Sequence, residues 1–478
     1  MTAAGGPGAQ DPTPATAAGP TPGAPAPSGF APPDPIADPD RAVDDGGGDA
    51  PSGGYARGAR ILSLGIASTG LLTFLFFSVA SHALGSSAEG QTQYGQVSTM
   101  WAILFTAMSV FYRPVEQLLS RTIATARARG EAHPRLREPM LIQAGFALVL
   151  VVAALVARGP LLDQVGSDAL FWILVGAGVA YAASYFARGF VAGHGWFPLY
   201  GGLVLFESVA RILFPIAALV GITTGQVAVA AGILAAPLAS LLVVPWAIRA
   251  ATRRLADGTP APAAGGRDAA LRAGGSFAVA VALIQLGEQT LVNAGVLLTP
   301  DKAAAGLIFS ALLVTRAPLQ LFQAVQTTLL PHFAQLVATG SPDEIGAAIR
   351  KAVVLIAGFA ALVVVGLLVL GGWVMPLLFD GQDIPVLGLA VVAVGMGAHL
   401  VAGTLNQAAL ARGHAWLAAL AWLASGALFV AWMVVAPIAD DLTCAEVGYA
   451  GCALVLCALL SRLYRRPAAA AAAPVPAA

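Results

Sequence analysis

Four polar residues interrupt an apolar stretch at residues 303–333, and their spacing places them on one helix face. They are Arg316, Gln320, Gln323 and Thr327. At about 100° per residue, the three positions beyond Arg316 all fall within about 40° of it. No acidic residue lies three or four positions from Arg316, so a local ion pair does not explain its charge. The pattern favours a functional role for Arg316, whose nearest candidate partner is Glu288 on the preceding apolar stretch.

A second polar stripe lies on that preceding stretch, at residues 271–299. Its members are Gln285, Glu288, Gln289 and Asn293. Two neighbouring helices that each present a polar face at mid-depth predict a water-filled central cavity. The alternative is that these amides only hold helices together, because Gln and Asn also hydrogen-bond across helix interfaces in membranes.

Four further charges lie inside apolar stretches, namely Arg113, Glu116, Glu207 and Arg211. A charge at the centre of a bilayer costs about 2.5–3.5 kcal/mol, so these groups must pair or face water. Glu207 and Arg211 are spaced i,i+4 with the acid first, which also fits a purely structural ion pair. Arg113 and Glu116 lie nearer the inner surface and fit either the cavity or an anchor at that surface.

The elements that position these residues are membrane helices. The 478 residues are 58% hydrophobic and 10% charged, and the mean hydropathy is +0.78. Soluble domains carry about 25% charged residues, so this composition indicates an integral membrane protein. The three cysteines follow no metal-binding spacing, and the sequence predicts no metal and no cofactor.

A count of the apolar stretches predicts an all-α polytopic protein with twelve transmembrane helices. The predicted spans are 61–84, 94–121, 139–157, 168–188, 199–222, 224–248, 271–299, 303–333, 347–371, 384–411, 414–437 and 442–461. With the N-terminus inside, the inner segments collect 19 basic residues and the outer segments only 2. Cytoplasmic loops of membrane proteins carry an excess of Lys and Arg, so both termini are predicted to be cytoplasmic.

The predicted spans divide six and six around a basic linker. Residues 55–248 form a predicted N-terminal lobe, 249–270 the cytoplasmic linker and 271–466 a C-terminal lobe. The phrases GHGWF (193–197) and GHAWL (413–417) recur at equivalent turns, and YGQV (94–97) and AGLI (305–308) open equivalent spans. These echoes predict two parallel repeats. The segments 1–54 and 467–478, rich in Pro and Ala, are predicted to be disordered tails.

Three longer phrases resemble the multidrug/oligosaccharidyl-lipid/polysaccharide (MOP) flippase superfamily. They are LGSSAEGQTQYGQVSTMWAIL (84–104), FARGFVAGHGWFPLYGGLVLFESVARILF (186–214) and AAAGLIFSALLVTRAPLQLFQAVQTTLLPHF (303–333). The likeness is strongest to the O-antigen-type branch of polysaccharide biosynthesis and covers about residues 55–466. It implies a MATE-like, V-shaped pair of six-helix lobes that works by alternating access.

The resemblance also implies a substrate and a site. Flippases of this branch move an undecaprenyl-diphosphate-linked glycan from the inner to the outer leaflet of the bacterial cytoplasmic membrane. Arginines in the central cavity are expected to hold the diphosphate, and Arg316, Arg211 and Arg113 match them by position. Glu207, Glu288, Gln285, Gln289, Asn293, Gln320 and Gln323 complete the expected substrate-binding set.

Other functions stay open at the level of sequence. A cation- or proton-coupled exporter of small molecules would use Glu288 and Glu207 for coupling. The span at 61–84 has no acidic residue, which departs from the drug-exporting branch. The short predicted outer loops argue against a membrane glycosyltransferase, and no enzyme is predicted. A scaffold for cell-wall synthesis would bind its partners through the acidic N-terminal tail, which is also where a flippase would meet the polysaccharide machinery. No nucleic-acid partner is predicted.

Overall fold

The regular structure of the described chain is helical throughout. The computed structural model describes residues 52–128, 136–245, 249, 268–314 and 342–465. In chain order the helices are α1 (Ser52–Leu84), α2 (Ala88–Ala107), α3 (Arg113–Ala128), α4 (Arg137–Val156), α5 (Arg158–Val165), α6 (Asp168–Gly193), α7 (Phe197–Leu219), α8 (Gly225–Ser240), α9 (Asp268–Leu298), α10 (Lys302–Val314), α11 (Pro342–Leu378), α12 (Val386–Ala411), α13 (Ala415–Val435) and α14 (Asp441–Tyr464). The predicted all-α fold class is confirmed.

Helices overlap all the predicted membrane spans, with differences of detail. Among the described residues, eight helices are long and apolar enough to cross a membrane, and three shorter apolar helices accompany them. The predicted span at 94–121 begins earlier, at Ala88, and is divided by a π-helical segment. The predicted span at 303–333 is described only as far as Val314. The total of twelve spans and the cytoplasmic termini stay predictions.

The helices pack in two groups that follow the order of the chain. In the first group, called here the N-lobe (α1–α8), α7 packs along α1 and α8, and α6 packs against α3 and α8. In the second group, the C-lobe (α9–α14), α9 packs along α13, and α12 packs between α11 and α14. The predicted tails and almost all of the predicted linker, 249–270, lie outside the described residues.

Two helices expose most of their apolar surface. In an 18-residue apolar window of each helix, only 6% of the residues of α11 and 11% of those of α4 are buried inside the protein. Trp373 and Leu377 on α11 are exposed over 86% and 74% of their surface. A helix that is apolar all round and yet uncovered matches a lipid environment, because water would penalise such a surface strongly.

Close packing of α6 on α3 brings charged residues of the two helices together. A Cβ atom on Gly189 would lie 2.8 Å from the carbonyl oxygen of Glu116, and one on Gly193 would lie 2.9 Å from that of Ser120. Only glycine permits this approach, because any side chain would have to displace backbone atoms. The contact fixes Arg188, which precedes Gly189, beside α3.

A π-helical turn at Met108–Tyr112 joins α2 to α3. The amide of Arg113 donates to the carbonyl of Met108, five residues earlier. Pro114 follows directly and cannot donate to the carbonyl four residues before it, while its ring needs space in the preceding turn. A widened turn at this point accommodates the proline, and such π turns recur at functional sites. It also sets the direction of Arg113.

The two echoed phrases around histidine both form turns between helices. Gly195 has φ 69° between α6 and α7, and Gly413 has φ 81° between α12 and α13. This left-handed conformation suits glycine because it has no Cβ atom. The other two echoed segments, YGQV and AGLI, contact each other, which their sequences did not reveal. A Cβ atom on Gly306 would lie 3.2 Å from Cα of Gly95.

One set of contacts between the lobes lies around that crossing of α2 and α10. We call the following hydrogen bonds the outer contacts, because the predicted topology puts them on the extracytoplasmic side. They are Tyr94 hydroxyl with Ser310 Oγ (2.9 Å), Ser78 Oγ to Leu378 O (2.6 Å), Asp380 N to Ser81 Oγ (3.2 Å), Gln91 Nε2 to Gly381 O (2.7 Å) and Lys302 Nζ to Gln164 Oε1 (2.7 Å). These bonds join the two lobes on that side.

Candidate functional site

A cavity with a volume of about 180 Å³ lies within the N-lobe. Its walls come from α1, α2, the π-helical segment, α3, α6 and α7, and Leu313 of α10 reaches it from the second half of the chain. The charged residues of its lining, on three helices, are Arg113, Glu116, Arg188, Glu207 and Arg211. Three arginines and two glutamates give this set a net charge of +1 when all are ionised.

Glu207 lies between two arginines. Its Oε1 accepts a hydrogen bond from Arg211 Nη2 at 3.0 Å, and its Oε2 accepts one from Arg188 Nη2. Glu207 is 4% exposed and Arg211 is 2% exposed. The i,i+4 pair that the sequence predicted on α7 is therefore present, but it belongs to a group of three charges. One carboxylate cannot neutralise two guanidinium groups, so the group keeps a net positive charge.

Arg211 is held in place on several sides. Its Nη1 donates to Thr73 Oγ1 and its Nη2 to the hydroxyl of Tyr181, both at 3.1 Å. Its Cζ atom lies 4.4 Å from the centroid of the Trp101 ring, within the range of a cation–π contact. Together with the bond to Glu207, these contacts fix the guanidinium in one orientation at the cavity wall.

Arg188 has fewer restraints. Its guanidinium donates to Glu207 and lies 4.6 Å from the centroid of the Tyr185 ring. The Nε atoms of Arg188 and Arg211 are both buried and have no hydrogen-bond partner among the described residues. Buried donors in proteins are nearly always satisfied, so two such atoms beside one cavity indicate a place for an acceptor from a ligand or water.

Arg113 and Glu116 both line the cavity, on the first turn of α3. Glu116 Oε1 accepts a hydrogen bond of 2.7 Å from the hydroxyl of Tyr200. Arg113 Nη1 donates to Gln285 Oε1 on α9 at 3.3 Å, which joins the N-lobe cavity to the C-lobe. The sequence left two alternatives for this pair, the cavity or an anchor at the inner surface. The structure places both residues at the cavity.

The polar stripe on α9 divides into two parts. Gln285 Nε2 donates to Glu288 Oε2 at 2.8 Å, and Glu288 Oε1 lies 3.9 Å from Nε2 of His399 on α12. Further along, Asn293 Nδ2 donates to Gln289 Oε1 and to Thr106 Oγ1 on α2. Gln289 and Asn293 are buried between helices and do not line the cavity. Their contacts match the helix-joining alternative, and their membership of the substrate-binding set stays a prediction.

Three predicted site residues, Arg316, Gln320 and Gln323, lie outside the described residues. The predicted pairing of Arg316 with Glu288 therefore stays a prediction. Within the described chain, the carboxylate of Glu288 has Gln285 and His399 as its partners.

Sequence reasoning missed Arg188 as a site residue. It ended the predicted span at residue 188 and did not consider Arg188 for the site, whereas α6 continues to Gly193. A signal was available, since Tyr181, Tyr185 and Arg188 are spaced by four and three residues and so share one helix face. All three line the cavity. His399 gave no such signal, because its acidic partner is on another helix more than a hundred residues away.

Comparison with known proteins identifies the fold. The sequence has no significant match to a protein-family model or to a curated protein. Among solved structures, an inward-facing multidrug resistance MATE family transporter of the MOP superfamily is similar at 12% identity, with a TM-score of 0.66 over 84% of this chain and 98% of that one. A mutant of the Vibrio cholerae MATE transporter VcmN has 16% identity and a TM-score of 0.61 over 86% and 97%.

A third solved structure is similar at 11% identity, with a TM-score of 0.60 over 86% of this chain and 95% of that one. It is a MOP superfamily transporter from Pyrococcus furiosus, described as having a binding pocket of reverse polarity that suggests a different function. These likenesses establish that the chain has the MATE transporter fold, with its two helical lobes.

Proposed function

We propose that this protein is a membrane transporter that moves a polyprenyl-diphosphate-linked saccharide from the inner to the outer leaflet of a bacterial cytoplasmic membrane. The observation that supports this most is the N-lobe cavity, where Arg113, Arg188 and Arg211 face one space. Guanidinium groups bind phosphate oxygens through paired, charge-assisted hydrogen bonds and stay charged at any physiological pH. A diphosphate is the ligand chemistry that such a surface suits best.

The aromatic part of the lining suits the rest of the head group. Tyr181, Tyr185 and Tyr200 line the same cavity as the arginines. A tyrosine offers an apolar ring and a polar hydroxyl, which matches a sugar with its apolar and hydroxyl-bearing faces. The polyprenyl chain stays in the bilayer, because its burial in a protein of this size would gain nothing over lipid.

Alternating access is the mechanism we propose, with the lobes closed at the outer end in the described conformation. The outer contacts are mostly hydrogen bonds between neutral groups, each of which contributes about 0.5–1.5 kcal/mol net. A handful of such bonds can break and form again within a transport cycle. Opening at the outer end would present the arginine-held head group to the outer leaflet.

A cation- or proton-coupled exporter of small molecules is the second candidate. The observation in its favour is the pair of Glu288 and buried His399 in the C-lobe, 3.9 Å apart. A histidine beside a carboxylate is a common device for binding a proton near neutral pH. Against this candidate stands the net positive charge of the N-lobe cavity, which disfavours the cationic compounds that drug exporters carry.

The test is substrate selectivity in liposomes that contain the purified full-length protein. Three fluorescent probes are compared by quencher access from one side: an undecaprenyl-diphosphate-linked sugar, the same sugar linked to undecaprenol without phosphate, and a lipophilic cationic dye. Transport of the diphosphate-linked probe alone supports the proposal. Transport of the dye alone, driven by a pH or sodium gradient, supports the exporter. Equal transport of both sugar lipids would contradict a role for the arginines in recognition.

A further inference from the structure

The Glu207 carboxylate occupies a place that an anionic ligand could take. It joins an arginine of α6 to an arginine of α7, and it gives one oxygen to each. Both arginines keep a buried Nε donor without a partner among the described residues. The donors around this carboxylate therefore outnumber the acceptors that it provides. The next acid, Glu116, accepts a hydrogen bond from Tyr200 and leaves this surplus in place.

We propose that Arg188 and Arg211 form a phosphate site that Glu207 occupies at rest, and that a phosphate group of the substrate displaces Glu207 from Arg188. The inference rests on the proposed function, because that function supplies the phosphate. It adds a residue, Arg188, that sequence reasoning left out, and it gives Glu207 the role of an internal competitor.

The two arginines differ in how firmly they are held, and this decides which bond opens. Arg211 is one helical turn from Glu207 on α7, donates to Thr73 and Tyr181, and lies over Trp101. Arg188 comes from another helix, and its hydrogen bonds and ring contacts among the described residues are limited to Glu207 and Tyr185, with the Glu116 carboxylate as a further electrostatic neighbour. Its side chain is 11% exposed, against 3% for Arg211. Arg188 is therefore the group that can turn toward a ligand.

A phosphate group fits this place better than the carboxylate does. It offers more acceptor oxygens, so one group can receive hydrogen bonds from the Nε and Nη edges of both guanidinium groups. The pair of arginines also keeps one positive charge that Glu207 does not neutralise. In a cavity of low dielectric that charge attracts an anion strongly.

An internal competitor allows a transporter to release its ligand. Two buried guanidinium groups without a counter-ion would hold a diphosphate too firmly for rapid release, since binding and release must both occur in each cycle. When the lobes rearrange, Glu207 can return to Arg188 and expel the ligand. Neutralising Glu207 should therefore raise the affinity of the site for the diphosphate and lower the transport rate.

The experiment measures binding to the purified full-length protein in phosphatidylcholine nanodiscs by calorimetry. The probes are farnesyl diphosphate and inorganic pyrophosphate, with farnesol as the uncharged control. In Glu207→Gln we expect the Kd of farnesyl diphosphate to fall about 10-fold or more, which is the effect of losing one competing charge. In Arg188→Gln we expect the Kd to rise about 10-fold or more. Arg158→Gln, at an exposed ion pair outside the cavity, is the matched control and should not change it.

Each outcome has a distinct meaning. Binding of both charged probes supports a phosphate site open to soluble ions, and binding of farnesyl diphosphate alone supports one that needs the lipid. Unchanged or weaker binding in Glu207→Gln overturns the inference while the proposed function stands. If Glu207→Gln does not fold, Arg188→Gln decides alone, because Glu207 keeps Arg211 as its partner in that variant. No binding of either charged probe to the wild type overturns the site and removes the support for the proposed function.

Discussion

Arg113 in the N-lobe donates a hydrogen bond of 3.3 Å to Gln285 in the C-lobe, across 172 positions of sequence. The same Gln285 donates to Glu288, whose carboxylate lies 3.9 Å from His399. The cavity arginine and the buried histidine are thus joined by one chain of polar contacts. A ligand that binds Arg113 competes with Gln285, so occupation of the cavity changes a contact between the lobes.

Replacing Gln285 by leucine should shift the lobes away from the described conformation. A hydrogen bond from a charged donor contributes about 1.5–3 kcal/mol, so its loss should change the ratio of conformations about tenfold or more. The measurement is the labelling rate of a single cysteine placed at Ser310, which the outer contact with Tyr94 covers. We expect faster labelling in Gln285→Leu, and an unchanged rate would show that this contact does not bias the lobes.

Locking the outer contacts should stop transport. Asp380 N lies 3.2 Å from Ser81 Oγ, so cysteines at these two positions come within reach of a disulfide. In a variant without Cys444, Cys452 and Cys457, oxidation of Ser81→Cys/Asp380→Cys should abolish transport, and a reductant should restore it. Each single-cysteine variant is the control. Continued transport by a fully cross-linked sample would exclude opening at this end.

The crossing of α2 and α10 has no space for a side chain at Gly95. A Cβ atom there would clash with the backbone carbonyl of Lys302. Gly95→Ala should therefore destabilise the described conformation by about 1–3 kcal/mol, as overpacking does. Gly145→Ala on α4 is the matched control, because a Cβ atom there meets nothing within 4 Å and helix propensity favours alanine. In thermal unfolding in detergent, Gly95→Ala should melt at a lower temperature than Gly145→Ala. Equal melting temperatures would contradict the tight crossing.

Neutralising Glu288 separates the two candidate functions. In Glu288→Gln, the side-chain amide oxygen can still accept the hydrogen bond from Gln285, but the negative charge beside His399 is removed. We expect this variant to keep most of its transport of a diphosphate-linked sugar. Complete loss of proton-gradient-driven transport in this variant would instead favour the coupled exporter.

Local patterns in the sequence were enough to predict the helices and part of the site. Long apolar stretches predicted the helices, because a membrane helix must satisfy its backbone within itself. The spacing of Glu207 and Arg211 predicted their ion pair, since residues four apart are neighbours on a helix. Arg113 was assigned to the diphosphate site by its position in the family resemblance, and its depth near the inner surface left a surface anchor as the alternative.

Features that depend on tertiary packing escaped prediction. Arg188 became a site residue because α6 runs five residues further and because Gly189 and Gly193 bring it against α3. The contact between Arg113 and Gln285 depends on how the lobes meet, and the π-helical turn before Arg113 follows from packing around Pro114. Gln289 and Asn293 lie about 100° and 140° around α9 from Glu288, and they are buried in the helix interface. Spacing along one helix does not reveal which part of a stripe a neighbour covers.

In the proposed function, the cavity arginines bind the diphosphate of a lipid that the protein moves across the membrane. The most direct measurement is the transport rate of a fluorescent undecaprenyl-diphosphate-linked sugar in liposomes by Arg113→Gln/Arg188→Gln, beside the wild type and Arg158→Gln. The double variant leaves Glu207 paired with Arg211 and Glu116 bonded to Tyr200, so it should fold. We expect the double variant to transport at less than about a tenth of the wild-type rate, since each lost charged hydrogen bond costs about 1.5–3 kcal/mol, and we expect the control to be unchanged. A double variant that transports at the wild-type rate would contradict it.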